Sequence, residues 1–339
     1  MRVRSGKIPC MTDRNADWID LPDEGVLAVR GADARKFLNG QLSQQLLSLG
    51  AGETVLAGLH NPQGRTLAIL RVVADGPQDL LCVLPRSLLE GVLSLLRKFL
   101  LRSKAELTDE TPLWRVQGRW PAPGAAAEAT VAAGPAPAPA THSPAPLHWP
   151  HTSDGRYMRL ARCNAPINSS GTASESSVAP IEPSPAAPPA AWHRADIAAG
   201  LPRIYGATQG EFVAQMLNLD VLEGISFNKG CYTGQEVIAR AHFRGRVKRR
   251  LQRFTVAVTS TFAPTTLAPG EQITLADGRD AIVVDSAAEH EGQVEFLAVA
   301  RYATATGSNT SEDAIQREAL RAHIEATPLP LPYELPAAG

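Results

Sequence analysis

The sequence predicts an α+β fold that ends in a small antiparallel β unit, and three observations carry this. From Asp20 to about Glu110, short apolar runs of strand character surround one long helical pattern. After Arg253, the alternating segments FTVAV, QITLAD, AIVVDSA and QVEFLAVARY are punctuated at Pro269-Gly270, Asp277-Gly278 and Glu291-Gly292, which predicts a small antiparallel barrel or sandwich. Between these parts, from Pro121 to Ala191, the composition collapses into Pro, Ala and Ser.

Taken in order, GVLAVRG (Gly25 to Gly31) reads as a strand, and Asp33 as the N-cap of a helix with Ala34, Phe37 and Leu38 on one face. ETVLAGLHNPQGRTLAILRVV reads as two strands joined at Asn61-Pro62-Gln63-Gly64, because Pro presets the turn dihedral and Gly accepts the turn position after it. LLCVLP is a further strand. Leu88, Leu89, Val92, Leu95, Leu96, Phe99 and Leu100 recur at helical spacing, which predicts a long amphipathic helix on that sheet. The Pro/Ala/Ser tracts bury too little apolar surface to offset their ordering entropy and are expected to be mobile. Two islands within them, LWRVQGRW and HWPHTSDGRYMRLARC, read as strands of a folded unit with insertions between them, or alternatively as linker. Thr208-Gln-Gly-Glu211 fits a capping box that would start a helix carrying Phe212, Val213 and Met216.

The totals exclude several classes. A net charge of −1, from 33 Lys and Arg against 34 Asp and Glu, gives no global field for nucleic acid or membrane. Four cysteines with no CxxC pair encode neither a disulfide framework nor a closed metal site and point to a reducing compartment. No run of about 18 apolar residues occurs, so a cytoplasmic protein without a membrane role is expected.

Chemistry concentrates in FNKGCYTGQEVIARAHFRGRVKRR, residues 227–250. Thr233-Gly-Gln-Glu236 is a second capping box, so a helix should begin at Gly234, with Cys231 just ahead of it and Lys229 two residues away. The helix terminus and the ammonium would both favour thiolate. The competing reading is a buried cysteine acting as a small hydrophobe. Gly230 and Gly234 permit close ligand approach. Arg240, Arg244, Arg246, Lys248, Arg249, Arg250 and Arg253 form the densest cationic run, either a solvated face or a site for phosphate or carboxylate.

KGCYTGQE (Lys229 to Glu236) and the following R-x-x-x-R-G-x-x-K-R (Arg240 to Arg249) resemble the signature of the YgfZ family of folate-binding, iron–sulfur-related proteins. GADARKFLNGQLSQQL, NPQGRTLA, KFLLRSKAEL and AGLPRIYGATQGEFVAQMLNLDVL resemble that family's other blocks in the same order. The resemblance implies a glycine-cleavage T-protein-like fold: two α+β portions around a central folate pocket, plus the C-terminal β-barrel. Its expected division is an N-terminal α+β domain at 20–120, insertions at 121–191 with a strand island at 148–163, a second α+β portion at 192–253, the barrel at 254–306 and a polar, Pro-rich tail at 307–339.

For function, the resemblance implies a tetrahydrofolate- or polyglutamyl-folate-binding accessory role in assembly or repair of iron–sulfur clusters in particular enzymes, tRNA-modifying ones among them. Iron–sulfur client enzymes and assembly factors would be the partners, with direct tRNA binding through Arg244 to Arg253 as a third reading. Cys231 and Lys229 would be the reactive pair, within a motif completed by Gly230, Tyr232, Thr233, Gly234, Gln235 and Glu236. Arg240, Gln235 and Glu236 would contact folate. Cys231 would contact an iron, a persulfide or a partner's thiol transiently, since the other thiols are dispersed, with a cluster shared between two chains as the alternative. The alternative is a folate-dependent one-carbon enzyme. T-protein aminomethyltransferases resemble one another in a Gly-Gly-x-x-Asp-Asp stretch, whereas Gly64-Arg65-Thr66-Leu67-Ala68-Ile69 offers no acid at Ala68 or Ile69 for proton transfer.

Overall fold

Residues 18–120, 147–148, 155–163, 189–245, 247–258, 267–302 and 322–336 are described by the computed structural model. Their elements are β1 (Ile19–Asp20), β2 (Glu24–Arg30), α1 (Ala34–Asn39), β3 (Thr54–His60), β4 (Thr66–Ala74), β5 (Leu80–Pro85), α2 (Arg86–Leu100), β6 (Glu106–Asp109), β7 (Trp114–Arg119), β8 (Leu147–His148), β9 (Tyr157–Arg162), α3 (Pro189–Ala198) and α4 (Gln235–Phe243). The C-terminal strands are β10 (Arg249–Ala257), β11 (Gln272–Leu275), β12 (Asp280–Ser286), β13 (Gln293–Arg301), β14 (Ala322–Ile324) and β15 (Thr327–Leu329).

The first strands form a five-stranded antiparallel sheet in the order β3-β4-β5-β2-β6, and α2 lays Leu88, Leu89, Val92, Leu93 and Leu96 on it as the leucine spacing requires. α1 starts after Asp33, but the Asp33 side chain makes no cap bond; its Oδ2 accepts the Lys104 N–H at 2.8 Å instead. The two islands pair with each other: β7 and β9 run antiparallel from Trp114↔Arg162 to Arg119↔Tyr157, with β1 and β8 completing a four-stranded sheet. Most of the Pro/Ala/Ser tracts, with the mobility expected of them, and Cys10 and Arg246 lie outside the described residues.

The helix expected after Thr208 does not form. Gly210 adopts φ 73°, and the backbone groups of this stretch bond to β4 and its flank instead: Gly210 N–H donates to Thr66 O at 2.9 Å and Thr66 N–H to Phe212 O at 2.7 Å. Only a 3-10 turn at Ala214–Leu217 follows, closed by Asn218 in the left-handed region. Glycine and sheet pairing override the capping pattern.

At the C-terminal end six strands curl into a half-barrel in the order β14-β11-β12-β13-β10-β15. Its two outermost strands come from the Pro-rich end of the chain, to which the sequence assigned no element. Along β13 the residues alternate between two cores: Val294, Phe296, Ala298 and Ala300 fill the curl, while Leu297 and Val299 join the cluster that continues through the first sheet. Phe254 and Phe296 stack inside the curl at 5.4 Å.

A buried ion pair ties this half-barrel to the preceding segment. Arg250, 4% exposed, donates Nη1 to Asp220 Oδ1 at 2.7 Å and Nη2 to Oδ2 at 2.8 Å, with Gln215 O also accepting from Nη1 at 3.0 Å. Breaking a buried pair from one side strands the other charge. Asp220→Ala should therefore cost about 3–5 kcal/mol, measured as a fall in urea midpoint, while Asp220→Leu combined with Arg250→Met should recover most of it.

Candidate functional site

Three segments far apart in sequence meet at the KGCYTGQE loop. Lys229, 8% exposed, points inward and donates its ammonium to the carbonyls of Asn39 (2.5 Å), Leu42 (2.6 Å) and Gln44 (2.9 Å), all from the GADARKFLNGQLSQQL stretch. Those three acceptors match the three donors of an ammonium. Burial pulls the Lys229 pKa down to about 8. The side chain expected to stand beside the thiol as its charge partner is thus committed to anchoring the loop.

The β3–β4 turn supplies the second contact. Gly234 adopts φ 81°, and a Cβ there would lie 2.5 Å from Asn61 O and 2.9 Å from Gly64 Cα. Gly64, at φ 71°, is equally closed, with Val237 Cβ 3.0 Å from where its own Cβ would stand. The two backbones meet where no side chain fits, which explains a glycine at each place. α4 begins after Gly234, one residue beyond the expected start, but the Thr233–Glu236 capping box is absent: no side chain caps the helix, and Gln235 Oε1 accepts the Tyr232 N–H at 3.3 Å.

Tyr232 is buried beneath the loop, its ring 5.0 Å from Lys229 Nζ, and burial raises its hydroxyl to about 12. His60 lies below it, ring centroids 6.4 Å apart, 1% exposed and with Nδ1 3.3 Å from Thr66 Oγ1. Burial drives the His60 pKa down to about 3, so the ring is neutral. Above this floor Cys231 is exposed, on the loop leading to α4, whereas Cys82 is buried in β5 with its thiol pushed up to about 12. The buried-hydrophobe reading therefore applies to Cys82 and not to Cys231. Gly230 is exposed with open space where a Cβ would stand, and Glu236 is exposed in the first turn of α4. Among the described residues no three His, Cys, Asp or Glu side chains gather as a metal-binding group.

A second feature lies between the sheets. Leu56, Ile69, Arg71, Pro85, His193, Asp196, Leu201, Pro202, Arg203, Ile204 and Asp285 line a pocket. A β-bulge between Val283 and Asp285 shifts the β12 register there, and such a bulge re-aims the side chain beyond it. Asp285 receives Tyr205 OH at 2.7 Å and faces His193 Nε2 at 2.9 Å. Burial would lower the His193 pKa, but the hydrogen bond and charge of Asp285 outweigh it and raise it. Glu24, tied to Arg203 at 2.5 Å, is held below the ordinary carboxylate range: burial would raise it, but Arg203 and Arg71 outweigh that. Asp196 goes the other way, raised by burial despite Arg156 at 2.8 Å.

Arg240, Gln235 and Glu236, the expected folate contacts, do not line this pocket. Ile238 is the only residue of α4 to be fully buried, so the helix turns its charged side to solvent. Ala68 and Ile69 lie in β4 opposite Leu59 and Gly58, and both are buried. The cationic run also divides. Arg250 is spent on Asp220, and Arg253 on Glu295 at 2.5 Å, so the stretch Arg244 to Arg253 is not one continuous basic face.

Sequence reasoning missed His60, Asn39, Tyr205, His193, Asp285, Glu24, Arg71 and Arg203 as members of these sites. Arg203 and Tyr205 fall inside the LPRIYG block and could have been singled out there. Asp285 and His193 are isolated in sequence and are joined only by the fold. Among the described residues no helix is long and apolar enough to cross a membrane.

No protein-family model matches the chain. Among curated proteins, the tRNA-modifying protein YgfZ of Enterobacter sp. (strain 638) is 32% identical over 252 residues, covering 69% of this chain and 70% of the relative. The protein of that name from Escherichia coli (strain K12 / DH10B) is 28% identical over 325 residues, covering 93% and 92%. An uncharacterised protein of Haemophilus influenzae is 31% identical over 244 residues, covering 71% and 74%. Among solved structures, the glycine cleavage system aminomethyltransferase T of Bartonella henselae aligns with a TM-score of 0.55, covering 84% of this chain and 78% of that one. At 12% identity this likeness is one of fold, and it establishes the T-protein-like architecture.

Two outcomes test the geometry. Lys229→Met leaves three inward carbonyls without a donor, at about 1–3 kcal/mol for each group left unsatisfied. It should lower the urea midpoint and raise proteolytic cutting within 228–234. His60 is neutral when folded but charges below about 6.5 when unfolded. The unfolded state then binds the extra proton, so the His60 contribution is complete above pH 6.5 and is lost as pH falls toward its folded pKa of about 3. A series of urea melts from pH 7 to pH 4.5 should show this slope, and His60→Leu should flatten it.

Proposed function

This chain belongs to the YgfZ family, and from that premise we propose that it is a folate-binding accessory protein that serves iron–sulfur enzymes, tRNA-modifying ones included, through the Cys231 thiol. The observation that carries the reading is the contrast among cysteines: Cys231 is exposed on a loop held by a buried lysine and a glycine–glycine backbone contact, while Cys82 is sealed in the sheet. A packing cysteine does not need a scaffold of that kind; a thiol that must meet a partner does. Iron, or a cluster in transit, is the substrate of this step, and a single exposed thiol suits brief ligation better than storage.

For a reduced folate, Leu56, Ile69, Leu201 and Ile204 offer faces for a flat ring and Asp196 and Asp285 offer acceptors for ring N–H groups, whereas Arg203 and Arg71 already answer Glu24, with which a folate carboxylate would compete. Beside those two arginines the buried Glu24 Oε2 has no hydrogen-bond partner. Bound there, folate would supply one-carbon or reductive chemistry. Lacking an acid at Ala68 and Ile69, the chain carries no counterpart of the aminomethyltransferase carboxylate, which favours the accessory role over the one-carbon enzyme.

Rescue of iron–sulfur enzyme activity in cells deprived of the endogenous protein tests this. Cys231→Ser should fall to the background level, with unchanged melting temperature and unchanged tetrahydrofolate binding, while Cys163→Ser rescues as wild type. Full rescue by Cys231→Ser would overturn the reading.

A further inference from the structure

We propose that the C-terminal end of α4 is a docking surface for single-stranded RNA, with Phe243 and His242 as the base-stacking platform and Arg240 and Arg244 as the phosphate contacts. The site is distinct from the pocket and adjoins the Cys231 loop through the same helix.

The aromatic geometry is the first ground. Phe227 is packed against the core and carries His242 stacked on it at 3.8 Å and 18°. Phe243 stands edge-on to both rings, at 5.8 Å and 71° from Phe227 and 4.8 Å and 85° from His242. Two of its neighbours thus fix the Phe243 ring, yet it remains 69% exposed. An exposed ring held by its neighbours is what a base stacks on, and such stacking accepts any base.

The second ground is charge. Among the described residues, no hydrogen bond or ion pair occupies the side chains of Arg240, Arg244 or Lys248, in contrast to Arg250 and Arg253. Arg240 and Arg244 are one helical turn apart, and Glu236, the only acid on the helix, lies one turn before Arg240 on its far side from Arg244. Unengaged cations beside an exposed aromatic ring complement a phosphate backbone with unstacked bases.

The third ground is patch size. On α4 only Val237, 39% exposed, joins Phe243 as an exposed large apolar residue. A protein partner would need a broader apolar centre. The choice of RNA rests on the family reading, whose relatives are named for tRNA modification.

The test is fluorescence anisotropy of the full chain with a labelled single-stranded RNA of about 15 nucleotides, and with the same sequence as a duplex. Phe243→Ala should weaken single-strand binding about tenfold and leave the duplex little affected, as the loss of one stacked base predicts. Arg240→Gln with Arg244→Gln should reduce the slope of log affinity against log salt by about 1.4, from roughly 0.7 per phosphate on single strands. Lys98→Gln, on α2, should change neither. Binding that ignores both α4 variants, or no binding near physiological salt, overturns the proposal. If Phe243→Ala keeps its RNA affinity yet fails to rescue cells, the face serves a client protein and the proposal falls. Cys231→Ser should keep wild-type RNA affinity, so failure of the thiol reading shows separately.

Discussion

Three carbonyl oxygens, those of Asn39, Leu42 and Gln44, take up the ammonium of Lys229, and the shape of the motif loop depends on it. A buried cation without that shell would carry a desolvation cost of several kcal/mol. With it, the segment after α1 and the loop before α4 become one body, although more than half the length of the chain separates them. The Gly234–Gly64 contact then fixes the β3–β4 turn against the same loop. Cys231 sits at the summit of this assembly, and its exposure is a product of what lies beneath rather than of local flexibility.

The pocket obeys a different constraint. Buried arginines and carboxylates alternate around it, and each carboxylate answers to its own balance of desolvation and neighbouring charge, so that Glu24 is held ionised while Asp196 is pushed toward the neutral form. The bulge in β12 brings an acid from the half-barrel to α3 and Tyr205, so the pocket exists only when all three packed parts are in place.

Much of this was legible in the sequence, for identifiable reasons. Strands and the α2 leucine stripe announce themselves because side-chain periodicity records which face is buried. The KGCYTGQE loop was legible because glycine and lysine in an apolar-poor stretch have few structural excuses. The partner of Lys229 was not legible, since backbone carbonyls leave no residue signature. Nor was the fate of Thr208–Glu211, where a capping pattern lost to pairing with β4. The basic run misled in part because Arg250 and Arg253 look like Arg240 and Arg244 until burial separates them.

The rung Arg119↔Tyr157 closes the small sheet where the chain departs from β7 and returns along β9. Both ends of the excursion are therefore clamped at a fixed spacing by the ladder itself. Closing such an excursion costs only about 0.6 kcal/mol more for each doubling of its length. Apart from β8 and the buried Arg156, its length is accordingly almost neutral for the scaffold. An engineer could splice a fluorescent reporter or an affinity handle there without disturbing the thiol loop or the pocket.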